Sequence, residues 1–380
     1  MVSLPAQLAQ TASKARSVLA ERAVRAQIAE TGRQLEHADS VLFFADGPGQ
    51  LYQLEAWVNT FERLAAAGHR TGIVLMDALC AREAMARTTL PVFFSRSMEQ
   101  VEKKLREVRT TAICYVNNSQ KNFTMLRFNG PAHIHLNHGE SEKASMVSNQ
   151  LKAYDYVCVA GPAAVLRIMG AVPRFEEKHL VQIGRPQLDA LQAKSAGEKT
   201  RVLYAPTWEG DSEAMAYSSI DTVAEDILSQ LVADERFEVR FRPHPKTGDF
   251  SPAVKKTITA LRAEFSRQLD PVSDPGQSLA WADVAICDIS AMAYDAVALN
   301  VPLFLAASKP GTHLGQSLPP EQLVGSANEL ADKVAALARQ GVSGAQKQLA
   351  NYFFTTTEPG RATEKLGELL REVQVPASNA

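Results

Sequence analysis

FEVRFRPHPKTGDF, residues 237–250, is the stretch on which the reading of the fold turns. Apolar and polar residues alternate through Phe241, and the chain then breaks into Arg-Pro-His-Pro. Each proline fixes φ, removes an amide donor and pushes the residue before it toward extended geometry. Arg242 and His244 both precede a proline, which predicts a strand ending in a rigid rim that carries two polar side chains. Outward from it, RVLYA (201–205), DVAICD (283–288) and VPLFLA (301–306) read as further strands, with helices near 217–233, 252–268, 290–299 and 327–340. The same rhythm runs through the first half in VLFFA (41–45), TGIVLM (71–76), PVFFS (91–95), TAICYV (111–116), HIHL (133–136), YVCVA (156–160) and LVQI (180–183). Strand–helix–strand alternation of this kind predicts an α/β protein with parallel sheets covered by helices. Two Rossmann-like, doubly wound domains facing across a cleft are expected: an N-terminal one over 1–190 with a leading helix inside 1–37, and a C-terminal one over 201–375. The polar run LQAKSAGEKT (191–200) reads as their linker.

Bulk properties narrow the function classes. The 380 residues suit two domains, and 46% hydrophobic with 22% charged content is that of a soluble globular chain. A formal net charge of −2 argues against a nucleic-acid partner, while leaving room for a local basic cleft. Cys80, Cys114, Cys158 and Cys287 are far apart, and three lie in strand-like runs, so buried free thiols and a reducing cytoplasm are expected. No run of 18 apolar residues and no signal-peptide core occurs. Residues 10–37 read as a basic helix, packed or solvated, with peripheral contact at the inner membrane face as its alternative.

Ligands of doubly wound sheets bind beyond the carboxyl ends of the strands, so the residues there matter most. DGPG (46–49) reads either as a tight turn or as a close backbone approach to a ligand, which makes Gly47 and Gly49 cleft candidates. It is not the GxGxxG of a dinucleotide site. In HIHLNHGE, His133, His135 and His138 have a metal-site spacing close to the HxHxDH run of metallo-β-lactamase-like hydrolases. Asn137 replaces the acid, and no later His-rich segment completes the ligand set, so no metal site is expected there. His138, followed by Gly139 and a helix over EKASMVSNQLKAY (142–154), is expected over the cleft as a base for an acceptor hydroxyl. Ser290, after Asp288, opens a helix whose free amides make an anion site or whose end is simply capped. With Thr207, Arg242 and His244 it predicts a ring of phosphate-binding chemistry.

NHGESEK (137–143), YAPTW (204–208), RPHP (242–245) and CDISAMAYDA (287–296) followed by NVPLFL occur in that order over about residues 130–310. Together they resemble the CDP-glycerol glycerophosphotransferase family, the teichoic-acid primases and polymerases of TagB/TagF type. The resemblance implies a GT-B fold and transfer of glycerol phosphate or ribitol phosphate from a CDP-activated donor to a hydroxyl of a teichoic-acid-like or capsular acceptor, lipid-linked or glycan, with release of CMP. It implies His138 and His244 as catalytic residues, and Arg242, Thr207, Ser290 and Asp288 as donor phosphate ligands. Gly139, Glu140, Lys143 and Asp295 stand among the acceptor or cleft candidates, and Mg²⁺ held by Asp288 or Asp295 is the one cofactor left open. Ile289 and Ala291 depart from the family's DYSS. The alternatives are a GT-B nucleotide-sugar glycosyltransferase, a UDP-N-acetylglucosamine 2-epimerase-like enzyme lacking the usual glycines and paired Glu, or a non-catalytic nucleotide- or polymer-binding relative.

Overall fold

The computed structural model describes residues 4–374 except 144–145, 192–196, 213–215, 308–310 and 325–328, with side chains from Val18 onward apart from Ala307. The first half holds β1 (Ser40–Phe44), β2 (Thr71–Leu75), β3 (Val92–Phe94), β4 (Ala112–Tyr115), β5 (Ala132–His135), β6 (Tyr156–Val159) and β7 (Leu180–Gln182). They form one parallel sheet in the order β3-β2-β1-β4-β5-β6-β7. The second half holds β8 (Thr200–Ala205), β9 (Phe237–Phe241), β10 (Val284–Asp288) and β11 (Leu303–Ala307), parallel in the order β11-β10-β8-β9. Central strands are covered on both faces, with every residue of β1 and β10 buried, which explains continuous apolar runs such as VLFF and VAIC.

Chain order reverses between β1 and β4 in the first sheet, and between β8 and β10 in the second. Strands diverge into opposite crossovers at such a switch point and leave a crevice at their carboxyl ends. Both crevices are pinned by side-chain bonds. Asn117, after β4, donates to the Asp46 carboxylate after β1 at 3.0 Å. Asp288, ending β10, accepts from the Thr207 amide after β8 at 2.8 Å.

The helices correct the sequence reading in three places. The helix expected over 142–154 is replaced, where described, by irregular chain and 3₁₀ geometry that includes the turn Asn149–Ala153. Tertiary partners outweigh helix propensity here. Glu142 accepts from the amides of His313 and Leu314 at 2.8 and 3.0 Å, and Lys143 donates to Thr207 Oγ1 at 3.1 Å. The helix expected from 217 begins at Ala224, because the Ser219 amide is held by Asp288 and its hydroxyl by Tyr204. The last helix, Arg361–Glu372, was expected within a C-terminal unit ending at 375, yet it packs in the first core. Its stripe Ala362, Leu366, Leu369 and Leu370 is buried at helical spacing, and the three leucines join the cluster of Trp57 and Phe61.

At the other end of the chain, the leading helix spans Leu4–Thr31 and buries Ala20 and Val24, while Val18 and Leu19 are exposed. Among the described residues no helix is long and apolar enough to cross a membrane. All four cysteines are buried free thiols. The linker expected at 191–200 falls largely on 192–196, outside the described residues. Leu366→Ala should cost about 2–5 kcal/mol of stability, read as a lower midpoint in urea unfolding. A loss below about 1 kcal/mol would show that the last helix does not anchor the first core.

Candidate active site

The carboxyl ends of both sheets open onto one cleft of about 1130 Å³. β5 delivers His138 to it through Asn137, which takes φ +60, a left-handed conformation that Asn tolerates better than most residues. Asn137 is held there because its carbonyl accepts from Trp57 Nε1 at 2.5 Å and its side-chain oxygen accepts the His138 amide at 2.8 Å. Gly139 then passes so close to the second half that a Cβ on it would lie 2.8 Å from Ala291 Cβ. Only a residue without a side chain fits that approach, and this is the physical role of the HG pair.

His138 and His244 flank Tyr52, whose ring stands edge-on to both, at centroid distances of 6.3 and 5.9 Å. Two imidazoles from opposite halves thus share one space. Protein surrounding the His138 ring, although it opens on the cleft, pushes its pKa down to about 4, and the cations Arg185, Lys246 and Lys143 act in the same direction. A backbone hydrogen bond to Val116 opposes the shift. Burial first, then Lys143, Lys246, His138 and Arg242, push His244 down to about 3. His244 Nδ1 accepts the Lys246 amide at 3.1 Å, so its proton sits on Nε2. Trp208 stacks beside His244 at 6.3 Å, with Lys246 over its ring at 5.5 Å.

Ser290 stands at a helix start, a place that can hold an anion. It stands before the helix Ala291–Ala298 and lines the cleft, and its hydroxyl is buried, caps nothing and has no partner among the described residues. A free hydroxyl beside the first-turn amides of a helix suits a phosphate oxygen. Thr207 lines the cleft next to it and binds Lys143, whose ammonium burial lowers to about 8 despite the pull of Asp288.

Several expected residues sit elsewhere or face another way. Asp288 is fully buried beneath the floor, binding the amides of Thr207 and Ser219, and burial raises it to about 7. It ties the segments at Thr207 and Ser219 together beneath the cleft. Arg242 lines the cleft, but its terminal nitrogens bind Asp270, the carbonyls of Val272 and Ser273, and the Ser278 hydroxyl. Its fork therefore holds the 270–278 loop, while His244 of the same Arg-Pro-His-Pro rim lines the cleft beside it. Glu140 is buried against Arg167 away from the cleft lining. Gly47 and Gly49 are also outside the lining, and neither has positive φ. Asp46 and Gln50 line the cleft from that turn.

Asp295 makes a two-pronged pair with Arg185 at 2.8 and 2.9 Å. Asp295 is thus committed to Arg185, while Asp288 holds two amides through Oδ2 and its Oδ1, buried beneath the floor, has no partner among the described residues. His133 is likewise occupied, by Tyr115 and the Phe128 carbonyl, and no group of three His, Cys, Asp or Glu gathers among the described residues. Sequence reasoning missed Tyr52, Arg185, Trp208 and Lys246. Of these, Trp208 and Lys246 were within reach, since each lies one or two residues from Thr207 or His244.

The family model for CDP-glycerol:poly(glycerophosphate) glycerophosphotransferase matches residues 95–372. The chain belongs to that family. It is thereby a CDP-glycerol glycerophosphotransferase-like transferase. Two structures of the wall teichoic acid polymerase TagF are similar: one soaked with CDPG, at 13% identity over 100% of both chains with TM-score 0.58, and one without, at 14% over 98% and 99% with TM-score 0.56. A candidate UDP-N-acetylglucosamine 2-epimerase from Listeria monocytogenes is similar at 12% identity over 87% of this chain and 95% of its own, TM-score 0.57. At these identities the structures establish the GT-B fold alone. No curated protein matches the sequence.

Two measurements test the geometry of this family member. Gly139→Ala should lower turnover by about 100-fold, and adding Ala291→Gly should restore much of it. Failure of the second change to restore activity would mean that the approach of these two residues is not what positions His138. The imidazoles also set a pH dependence. Their folded pKa values lie below the unfolded value of about 6.5, so the unfolded chain takes up protons first. The contribution of the half-buried His244 to stability is present above about pH 6.5 and falls as the pH drops toward about 3. Urea unfolding at about pH 7 and about pH 5 should show a smaller acid loss in His244→Asn than in the parent. An equal loss would contradict the depressed value.

Proposed function

We propose that the protein transfers glycerol phosphate, or ribitol phosphate, from a CDP-activated donor to a hydroxyl of a teichoic-acid-like or capsular acceptor and releases CMP. The observation that carries this reading is the pair of neutral imidazoles, one from each half, that flank Tyr52 in a cleft also lined by Ser290, whose hydroxyl at a helix start is unpartnered among the described residues. His138 takes the proton from the acceptor hydroxyl as that oxygen attacks the phosphorus bearing the polyol. The bond from that phosphorus to the bridging oxygen of CMP breaks, and CMP leaves with the electron pair. Ser290, the first-turn amides, Lys143 and Lys246 offset charge on the phosphoryl oxygens. The Nε2–H of His244 donates toward the leaving phosphate. Such a reaction depends on positioning and electrostatics.

A lipid-linked or glycan acceptor would bring this chain, read as cytoplasmic, into peripheral contact with the inner membrane face. The test incubates the protein with CDP-glycerol, CDP-ribitol and UDP-sugars while nucleotide release is followed. CMP from a CDP-polyol is expected. His138→Ala should abolish release, by about 10²–10³ or more, with nucleotide affinity kept within a few-fold, whereas His244→Ala should weaken donor binding. UDP or UMP release without CMP would overturn the reading.

A further inference from the structure

A second, smaller cavity lies behind the turn that carries His138. It measures about 30 Å³, and its wall includes Trp57, His135, Asn137, Glu140, Arg167 and Gln187. His135, Asn137, Gly139, Arg185 and Gln187 line both this cavity and the large cleft, so the two spaces share a wall. Three residues of the smaller cavity carry five buried polar atoms with no partner among the described residues: His135 Nδ1, Arg167 Nε and Nη1, and Gln187 Oε1 and Nε2. A buried donor or acceptor left unpaired is costly, and five around one small space point to a ligand within it. Their chemistry decides which. Arg167 supplies two donors, Gln187 supplies a donor group and an acceptor, and His135, which burial holds neutral, can use Nδ1 either way. A bare anion only accepts and a metal ion only takes lone pairs, so neither satisfies both kinds of group. The charges of the wall are already paired, Arg167 with Glu140 and Arg185 with Asp295. Water both donates and accepts, and a buried water needs only about 10–15 Å³ of such space.

We propose that this cavity is a built site for about two bound waters, and that His135, Arg167 and Gln187 are positioning residues that act through them on the His138 turn. The route is short. Asn137, Gly139 and Glu140 belong to the turn and line the cavity, while His135 ends β5, Arg167 stands on the helix Pro162–Ala171 and Gln187 lies in the 3₁₀ turn Pro186–Leu188 after β7. Arg167 reaches the turn directly through Glu140. Waters bound to its other two nitrogens extend that bond to Gln187 and His135, so the turn is held from behind as well as from the second half.

Crystals of the parent protein, of Gln187→Met and of Gln187→Asn test both parts, with one parent crystal soaked in bromide. The parent should show water density within hydrogen-bond distance of His135, Arg167 and Gln187. Anomalous bromide density there, featureless density, or protein groups bonded to all three residues overturns the site. Met keeps the volume of Gln without its hydrogen bonds, whereas Asn keeps the amide and loses volume. Gln187→Met should therefore lower kcat for CMP release from CDP-glycerol by about tenfold with KM changed less than about twofold, while Gln187→Asn should stay within about threefold of the parent. Gln187→Met as active as Gln187→Asn, or more so, is what packing alone gives and overturns the positioning role. If the parent releases no CMP, the transfer reading fails and the Gln187→Met crystal decides: a displaced 137–140 turn supports the positioning role, and an unmoved one overturns it.

Discussion

The buried pair between Arg185 and Asp295 is the contact on which the site depends. Its side chains are 10% and 7% exposed, and it joins the loop after β7 to the helix after β10. Removing two charges from water costs about as much as their attraction returns, so such a pair is weak evidence of stability. Its two-pronged geometry instead sets how the halves lie. Beside it, Gly139 meets Ala291, and Glu142 of the first half binds the start of the helix His313–Ser317 and Tyr294. Segment 138–143 is therefore positioned by both halves. His138 rides on that segment, so its place opposite His244 is set at the junction rather than by either sheet alone.

The ends of the chain reinforce this arrangement. The helix Gly344–Phe353 packs in the second half, where Phe353 is buried against Tyr294. The chain then crosses near Gly161, where added bulk would strike the backbone of Phe353 and Thr355, and its last helix covers the first core. There the Asp189 carboxylate accepts the Thr363 amide at 2.6 Å. The second half is thus tied to the first at the Arg185 junction and again through its own terminus.

The strands were legible because a strand buried on both faces needs an unbroken apolar run, and that run survives in the sequence whatever its neighbours are. Cleft residues were legible for a related reason: the switch-point rule selects strand ends, and His138, Thr207, His244 and Ser290 lie there. Partnership was not legible. Nothing near Arg242 announces Asp270, 28 residues on, as the owner of its guanidinium, or Asp295 as the partner of Arg185 at a separation of 110. Both arginine roles are long-range packing outcomes. The helix expected over 142–154 was misread for the same reason, since the partners of Glu142 and Lys143 lie in the other half.

The electrostatics of the cleft become coherent when the imidazoles are considered with the cations around them. Lys143, Lys246, Arg185 and Arg242 lower one or both histidines, and a neutral imidazole adds no further repulsion among these positive charges. At neutral pH the site is thus positive through its lysines while His138 stays free to accept a proton. A base held near pKa 4 is a weak one in the free protein. In the proposed reaction a bound pyrophosphate would reverse that, because its negative charge favours the imidazolium and raises the basicity of any histidine beside it. The cations that weaken His138 in the empty cleft are also the groups that would draw the anion in. Basicity would then rise when an anionic substrate occupies the cleft, and an imidazole facing water alone would stay a poor base.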